Sequence, residues 1–148
     1  MLLLHDPKSD GPLVEPLLKL VGGRIPVVQH PDPRHLKWIL GSSRLVIGSR
    51  FHALVSALSQ AVPCLATEWS HKYQALCSDY GCPECVIRPD MAISELGVMI
   101  RDLLGDTGHD RMTTTLRRNG DQLKDRVKQM WAKVDTVMGF SDRGGSSR

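Results

Sequence analysis

The sequence predicts an α/β fold, a parallel sheet with helices on both faces. Its apolar runs, such as "LVIG" and "VPCLA", are continuous rather than alternating, as in strands buried on both faces. Stretches of helical spacing separate them, so strand and helix alternate along the chain. At 148 residues the chain suits one domain with a sizeable core. That domain is expected over residues 1–138, with residues 139–148 ("GFSDRGGSSR") as a disordered tail.

Leu2 to Leu4 reads as a core strand, closed by the turn-rich "HDPKSDGP". Leu13 to Gly23 has helical spacing through Leu13, Leu17, Leu18 and Val21, with Gly22-Gly23 as a stop, and Pro16 is expected in its first turn. Arg24 to His30 is β-like. Asp32 and Pro33 then supply an N-cap and a first helical residue for a helix to Leu40. Arg44 to Gly48 is a strand, and Arg50 to Ala61 a helix with Leu54, Ala57, Leu58 and Ala61 on one face. Val62 to Thr67 is the next strand. His71 to Gly81 is a helix with Gly81 just past its end. Glu84 to Ile87 is a short strand and Met91 to Gly105 a helix. The last helical pattern runs from about His109 to Met138, interrupted at Asn119-Gly120.

Several function classes are disfavoured. Seven aromatic residues in all (three Trp, two Tyr, two Phe) make a poor base-stacking platform, so no nucleic-acid partner is expected. The net charge of +3 suits an anionic small molecule as well as a solvated surface. No run nears the roughly 20 apolar residues of a membrane span. The start "MLLLHDPKSDG" lacks the regions of a signal peptide, so a cytoplasmic location with reduced thiols is expected. Cys77, Cys82 and Cys85, with Cys64 upstream, lack a second CxxC and are read as core thiols rather than a metal site. His30 and His35 fit a strand end and helix cap better than metal ligands, so no metal is expected.

Chemistry concentrates in "VIGSRFH", where a strand feeds a helix. Ligands of open α/β sheets bind beyond the carboxyl ends of strands. Gly48 permits a tight turn or a close backbone approach. Ser49 is the expected N-cap, which places Arg50, Phe51 and His52 in the first turn. The positive helix end favours an anion there. Arg50 can give it a bidentate contact, and His52 can exchange a proton near neutral pH. Lys72, after the next strand, can add a second positive charge. The plainer alternative is a surface arginine, a packed histidine and a solvated lysine, and spacing leaves both open.

The stretch "SRLVIGSRFHALVSALSQAVPCLATEWSHK" (Ser43 to Lys72) resembles the polysaccharide pyruvyl transferases, whose pattern runs D-x-x-V-I-G-S-R-L-H-A-x-x-x-A-x-x-x-G-V-P-x-x-x-x-x-Y-x-x-K. A looser match in element order extends from Leu2 to about Leu104. Phe51 stands for the family's Leu, Ala61 for its Gly and Trp69 for its Tyr. The resemblance implies a Rossmann-like domain, one half of a GT-B-type fold, here the C-terminal half of a two-domain enzyme. It implies phosphoenolpyruvate as donor substrate, no separate cofactor, and pyruvyl ketal transfer to a sugar of a cell-surface polysaccharide. Carried over, Arg50 holds the donor's phosphate or carboxylate within a Gly48–Phe51 turn. His52 is the acid/base, and Lys72 stabilises charge. The acceptor is expected to meet mainly a missing N-terminal half, supplied by a partner chain or within a homo-oligomer. Two alternatives stand beside this. One is half of a GT-B sugar-nucleotide glycosyltransferase or an epimerase, disfavoured because no acidic residue follows the Gly48 turn until Glu68. The other is a remnant or interaction domain without turnover.

Overall fold

The computed structural model describes residues 1–67 and 70–139. In chain order the elements are β1 (Leu2–Leu4), α1 (Pro7–Leu20), β2 (Val27–Gln29), α2 (Pro33–Gly41), β3 (Val46–Gly48), α3 (Phe51–Leu58), β4 (Cys64–Thr67) and α4 (His71–Asp79). A 3-10 turn (Pro83–Cys85), β5 (Val86–Ile87), α5 (Ile93–Leu104) and α6 (Asp106–Val137) follow. This is a Rossmann-like α/β fold with short, wholly parallel sheets. The strands form two sheets rather than one: β1 pairs with β2, and β3, β4 and β5 pair in that order.

The core sits on the second sheet. Val62 to Ala66 is buried throughout, as its continuous apolar run requires. Leu54, Ala57 and Leu58 of α3, Tyr73 and Cys77 of α4, Leu103 of α5, and Met112 and Leu116 of α6 close over it. The first sheet lies outside this core. Leu2 to Leu4 is only half-buried, correcting its reading as a core strand, because its free edge opens onto a cavity.

Helix ends differ from expectation where capping outweighs apolar spacing. The α1 helix begins at Pro7 because the Asp6 carboxylate caps it, accepting from the Lys8 N–H at 3.2 Å. Pro12 and Pro16 therefore lie inside the helix rather than in its first turn. Each lacks an N–H to donate, and α1 buries no residue. Asn119-Gly120 does not interrupt α6. Asn119 donates its amide to the Thr115 carbonyl at 2.9 Å, and Gly120 lets Tyr80 approach the helix. The strand expected at Glu84 starts only at Val86, after the 3-10 turn.

The helix ends near the site are informative. At the end of α4, Gly81 has φ +74°, and the Cys82 N–H reaches the Cys77 carbonyl at 2.8 Å. The same 6→1 bond joins Val62 to Ala57 at 3.0 Å after α3. There Ala61 takes the left-handed position, at φ 58°. This explains geometrically why a glycine suits that place in the family pattern. The expected tail at residues 139–148 falls outside the described residues, Gly139 excepted, as do Glu68 and Trp69.

Candidate functional site

The site begins where β3 ends. Ser49 is not the helix cap. Arg50 occupies that place with φ −87° and ψ 113°, and its carbonyl accepts from the Ala53 and Leu54 N–H groups at 3.0 and 3.1 Å. The Ser49 carbonyl is engaged elsewhere: the Tyr73 hydroxyl donates to it at 2.7 Å. That bond ties the β3–α3 turn to α4. Gly48 has no positive φ among the described residues, and a Cβ there would meet nothing within 4 Å. The turn therefore does not require a glycine; Gly48 instead leaves open space beside the strand end.

Arg50 is fixed by a partner that spacing could not reveal. Its Nε donates to Asp10 Oδ1 at 2.9 Å, and its Nη2 donates to the same oxygen. The other Asp10 oxygen accepts the backbone N–H groups of His5 and Asp6 at 3.0 and 2.9 Å. One carboxylate thus joins the turn after β1 to the turn after β3. Burial opposes charge on Asp10, but the Asp6 N–H and the Arg50 guanidinium outweigh it and hold the carboxyl below its ordinary range. The Asp10 hydrogen bond in turn raises the Arg50 pKa. The Asp10 side chain is only 17% exposed, while that of Arg50 is 42% exposed and keeps an accessible edge.

A cavity of about 490 Å³ lies between the two sheets, walled by β1 and β3. Its floor is apolar, with Leu13, Leu17 and Leu40, and its polar end carries His5, Asp10 and Arg50. His5, just after β1, and Ser49 and Arg50, just after β3, line it, so it lies at the carboxyl ends of both strands. Ligands of open α/β sheets bind beyond such strand ends.

The remaining candidates gather on the other side of the turn. His52 is exposed and does not line the cavity. Its ring lies 6.0 Å from that of Phe51 and 6.5 Å from that of His5, the latter at an interplanar angle of 23°. Phe51 meets Tyr73 edge-on at 5.8 Å. The Lys72 ammonium sits over both rings, 5.0 and 5.5 Å from their centroids. Arg50 thus belongs to the cavity, whereas Phe51, His52 and Lys72 form an outer aromatic and cationic cluster. His5 links the two. It lines the cavity, faces His52, and has a buried Nδ1 with no hydrogen-bond partner among the described residues. His5 and Asp10 were not legible as site residues. The available signal was a histidine at a strand end and an acid five residues on, neither of which stands out from ordinary strand-end and helix-start residues.

The cysteines behave as core thiols. All four are free and buried. Among the described residues no three His, Cys, Asp or Glu side chains are placed to hold a metal. Burial pushes the Cys64 thiol up, and contact with Cys77 and Cys85 pushes Cys82 up. The His30–His35 region is a helix cap, as expected: the Asp32 N–H donates to His30 Nδ1 at 3.0 Å, and the Asp32 carboxylate accepts the Arg34 N–H at 2.8 Å.

Fold and site together define a Rossmann-like α/β protein with a basic, histidine-bearing strand end at a cavity between two parallel sheets. Residues 2–71 match the family model described as polysaccharide pyruvyl transferase. The resemblance read from the sequence therefore holds from β1 to the first residue of α4; Lys72 and the elements after it lie beyond the match. No curated protein and no solved structure matches the chain. Among the described residues no helix is long and apolar enough to cross a membrane.

Proposed function

We propose that the strand-end site binds phosphoenolpyruvate and supports transfer of its pyruvyl group, as a ketal, to two hydroxyls of a sugar. The observation that carries this reading is Arg50, held by Asp10 at the cavity between the two sheets with its outer edge accessible. A guanidinium fixed on one edge offers the other to a phosphate or carboxylate without first being ordered. His52 stands two residues on, at the exposed start of α3, where it can donate a proton to the donor's methylene carbon.

Protonation of the methylene gives a methyl group and an oxocarbenium-like carbon. One sugar hydroxyl attacks that carbon and loses its proton. The carbon–oxygen bond to phosphate then breaks, inorganic phosphate leaves, and the second hydroxyl attacks and loses its proton to close the ketal. Cations around the leaving group, Arg50 and Lys72 on this reading, stabilise the departing phosphate. The acceptor would be a precursor of a cell-surface polysaccharide, handled in the cytoplasm. A second GT-B-type half, from another chain or another copy, would contribute most of its binding.

The test is a phosphoenolpyruvate titration of the 148-residue chain followed by ¹H–¹⁵N NMR. Saturable shifts at Gly48 to His52 that disappear in Arg50→Ala support the reading. His52→Ala should retain the shifts at Gly48 and Ser49, since binding is assigned mainly to Arg50. Shifts equally large in Arg50→Ala, or none at millimolar donor, refute donor binding at this turn.

A further inference from the structure

The cavity holds a polar side chain that donor binding by Arg50 leaves unused. His5, directly after β1, lines it beside Asp10 and Arg50. Both Asp10 oxygens are already taken. Oδ1 accepts from the Arg50 Nε and Nη2, and Oδ2 accepts the backbone N–H groups of His5 and Asp6. These donors fill the acceptor positions of a carboxylate, so Asp10 anchors the site rather than meeting a ligand. The His5 ring differs. Its Nδ1 is buried and has no hydrogen-bond partner among the described residues. A buried polar atom left unpaired costs free energy, which an arriving partner recovers. The ring turns about a two-fold torsion, so either of its edges can face the cavity.

Asp10 also fixes where His5 and Arg50 stand. The His5 backbone nitrogen and the Arg50 Nε bond to its two oxygens, at 3.0 and 2.9 Å. The two residues are thus held across a single carboxylate, and that spacing is set before a ligand binds. It suits a small ligand whose two acidic groups sit close together. Lys72, the other cation of the turn, stands over the Phe51 and Tyr73 rings and does not line the cavity.

We propose that the His5 imidazole binds the carboxylate of the donor while Arg50 binds its phosphate. His5 then makes the site selective for a phosphate ester with a carboxylate on the same carbon. This rests on the donor reading above. A guanidinium fork suits a phosphate with several acceptor oxygens, and a single ring N–H suits one carboxylate oxygen. The His52 ring lies 6.5 Å from that of His5, so a donor held by its carboxylate at His5 has its methylene on the side of the proton source.

The test compares phosphoenolpyruvate with methyl phosphate, an ester of the same phosphate without the carboxylate. Both are titrated by NMR into the 148-residue chain and into His5→Phe. Phenylalanine keeps a ring beside His52 and the backbone N–H that Asp10 accepts, but has no ring nitrogen. Wild type should bind phosphoenolpyruvate at least about tenfold more tightly than methyl phosphate, the scale of one hydrogen bond to a charged group. His5→Phe should lose that preference while its affinity for methyl phosphate stays within about twofold of wild type. In wild type the His5 ring nitrogens should shift strongly with phosphoenolpyruvate and weakly with methyl phosphate, a readout that needs no variant to fold. A preference that persists in His5→Phe, an equal loss of both ligands there, or an unmoved His5 ring overturns the role of His5 and leaves donor binding by Arg50 standing. A wild type that does not bind phosphoenolpyruvate, or that binds it no better than Arg50→Ala does, overturns the donor reading and this proposal with it.

Discussion

The corner between α5 and α6 is closed by backbone contact, and Gly108→Ala should open it. A Cβ at position 108 would lie 2.2 Å from the Asp102 backbone oxygen and 2.6 Å from its Oδ1. A flexible side chain could swing away, but a carbonyl in the last turn of a helix cannot. Asp102 is further held by Arg111, whose Nη2 donates to its Oδ2 at 2.6 Å. Relief therefore requires α6 to shift against α5, dragging the buried Leu103 and Met112 out of register. Overpacking of this kind costs about 1–3 kcal/mol, and the helix preference of alanine over glycine offsets at most ~1 kcal/mol. With an unfolding entropy of about 2.1 cal/mol/K per residue, each kcal/mol moves Tm by roughly 3 °C in a chain this long. The net cost is then about 0–2 kcal/mol, a fall in Tm of up to about 6 °C. Gly97→Ala is the matched control. Gly97 lies inside α5, and a Cβ there meets only the Arg101 side chain, at 3.4 Å. That substitution should raise Tm by up to about 3 °C. Differential scanning calorimetry on both variants decides the matter. A Tm for Gly108→Ala as high as that of Gly97→Ala would refute the close contact at the α5–α6 corner.

Two further predictions concern the site's supports. Asp10→Asn should destabilise the chain at neutral pH. Because the folded Asp10 carboxyl titrates below its ordinary value of 3.8, its stabilisation is present above about pH 4 and lost as pH falls through the folded value. The stability gap to wild type in urea should therefore close in acid; a gap that widens there would contradict the assignment. Tyr73→Phe removes the 2.7 Å bond to the Ser49 carbonyl and should cost about 1 kcal/mol in denaturant unfolding. It should also broaden or shift the amide signals of Ser49 and Arg50, and an unchanged spectrum there would mean the turn does not depend on α4.

The split between what was legible and what was not follows the range of the forces involved. Asp32 with Pro33 is a local capping signal, and that helix starts where the residues indicate. Leu54, Ala57, Leu58 and Ala61 were legible as one face, and all four are buried. Ser49 was misplaced as a cap because capping preference is weak beside the pull of Tyr73 on its carbonyl and of Asp10 on Arg50. The Asn119-Gly120 break was overridden by packing against Tyr80 and Thr115. No acid follows the Gly48 turn along the chain until Glu68, but folding delivers Asp10 to Arg50 from another helix.

The sequence by itself determined the alternation of strands and helices, the apolar faces that make the core, and the run from Val46 to His52 that resembles a known family. Those are properties of residues a few positions apart, where periodicity and capping act directly. Only the tertiary structure decided that Arg50 is clamped by Asp10, that His5 faces His52, and that the strands part into two sheets around a cavity. These depend on contacts between segments distant along the chain, and such contacts are set by how whole elements pack, which no local spacing encodes.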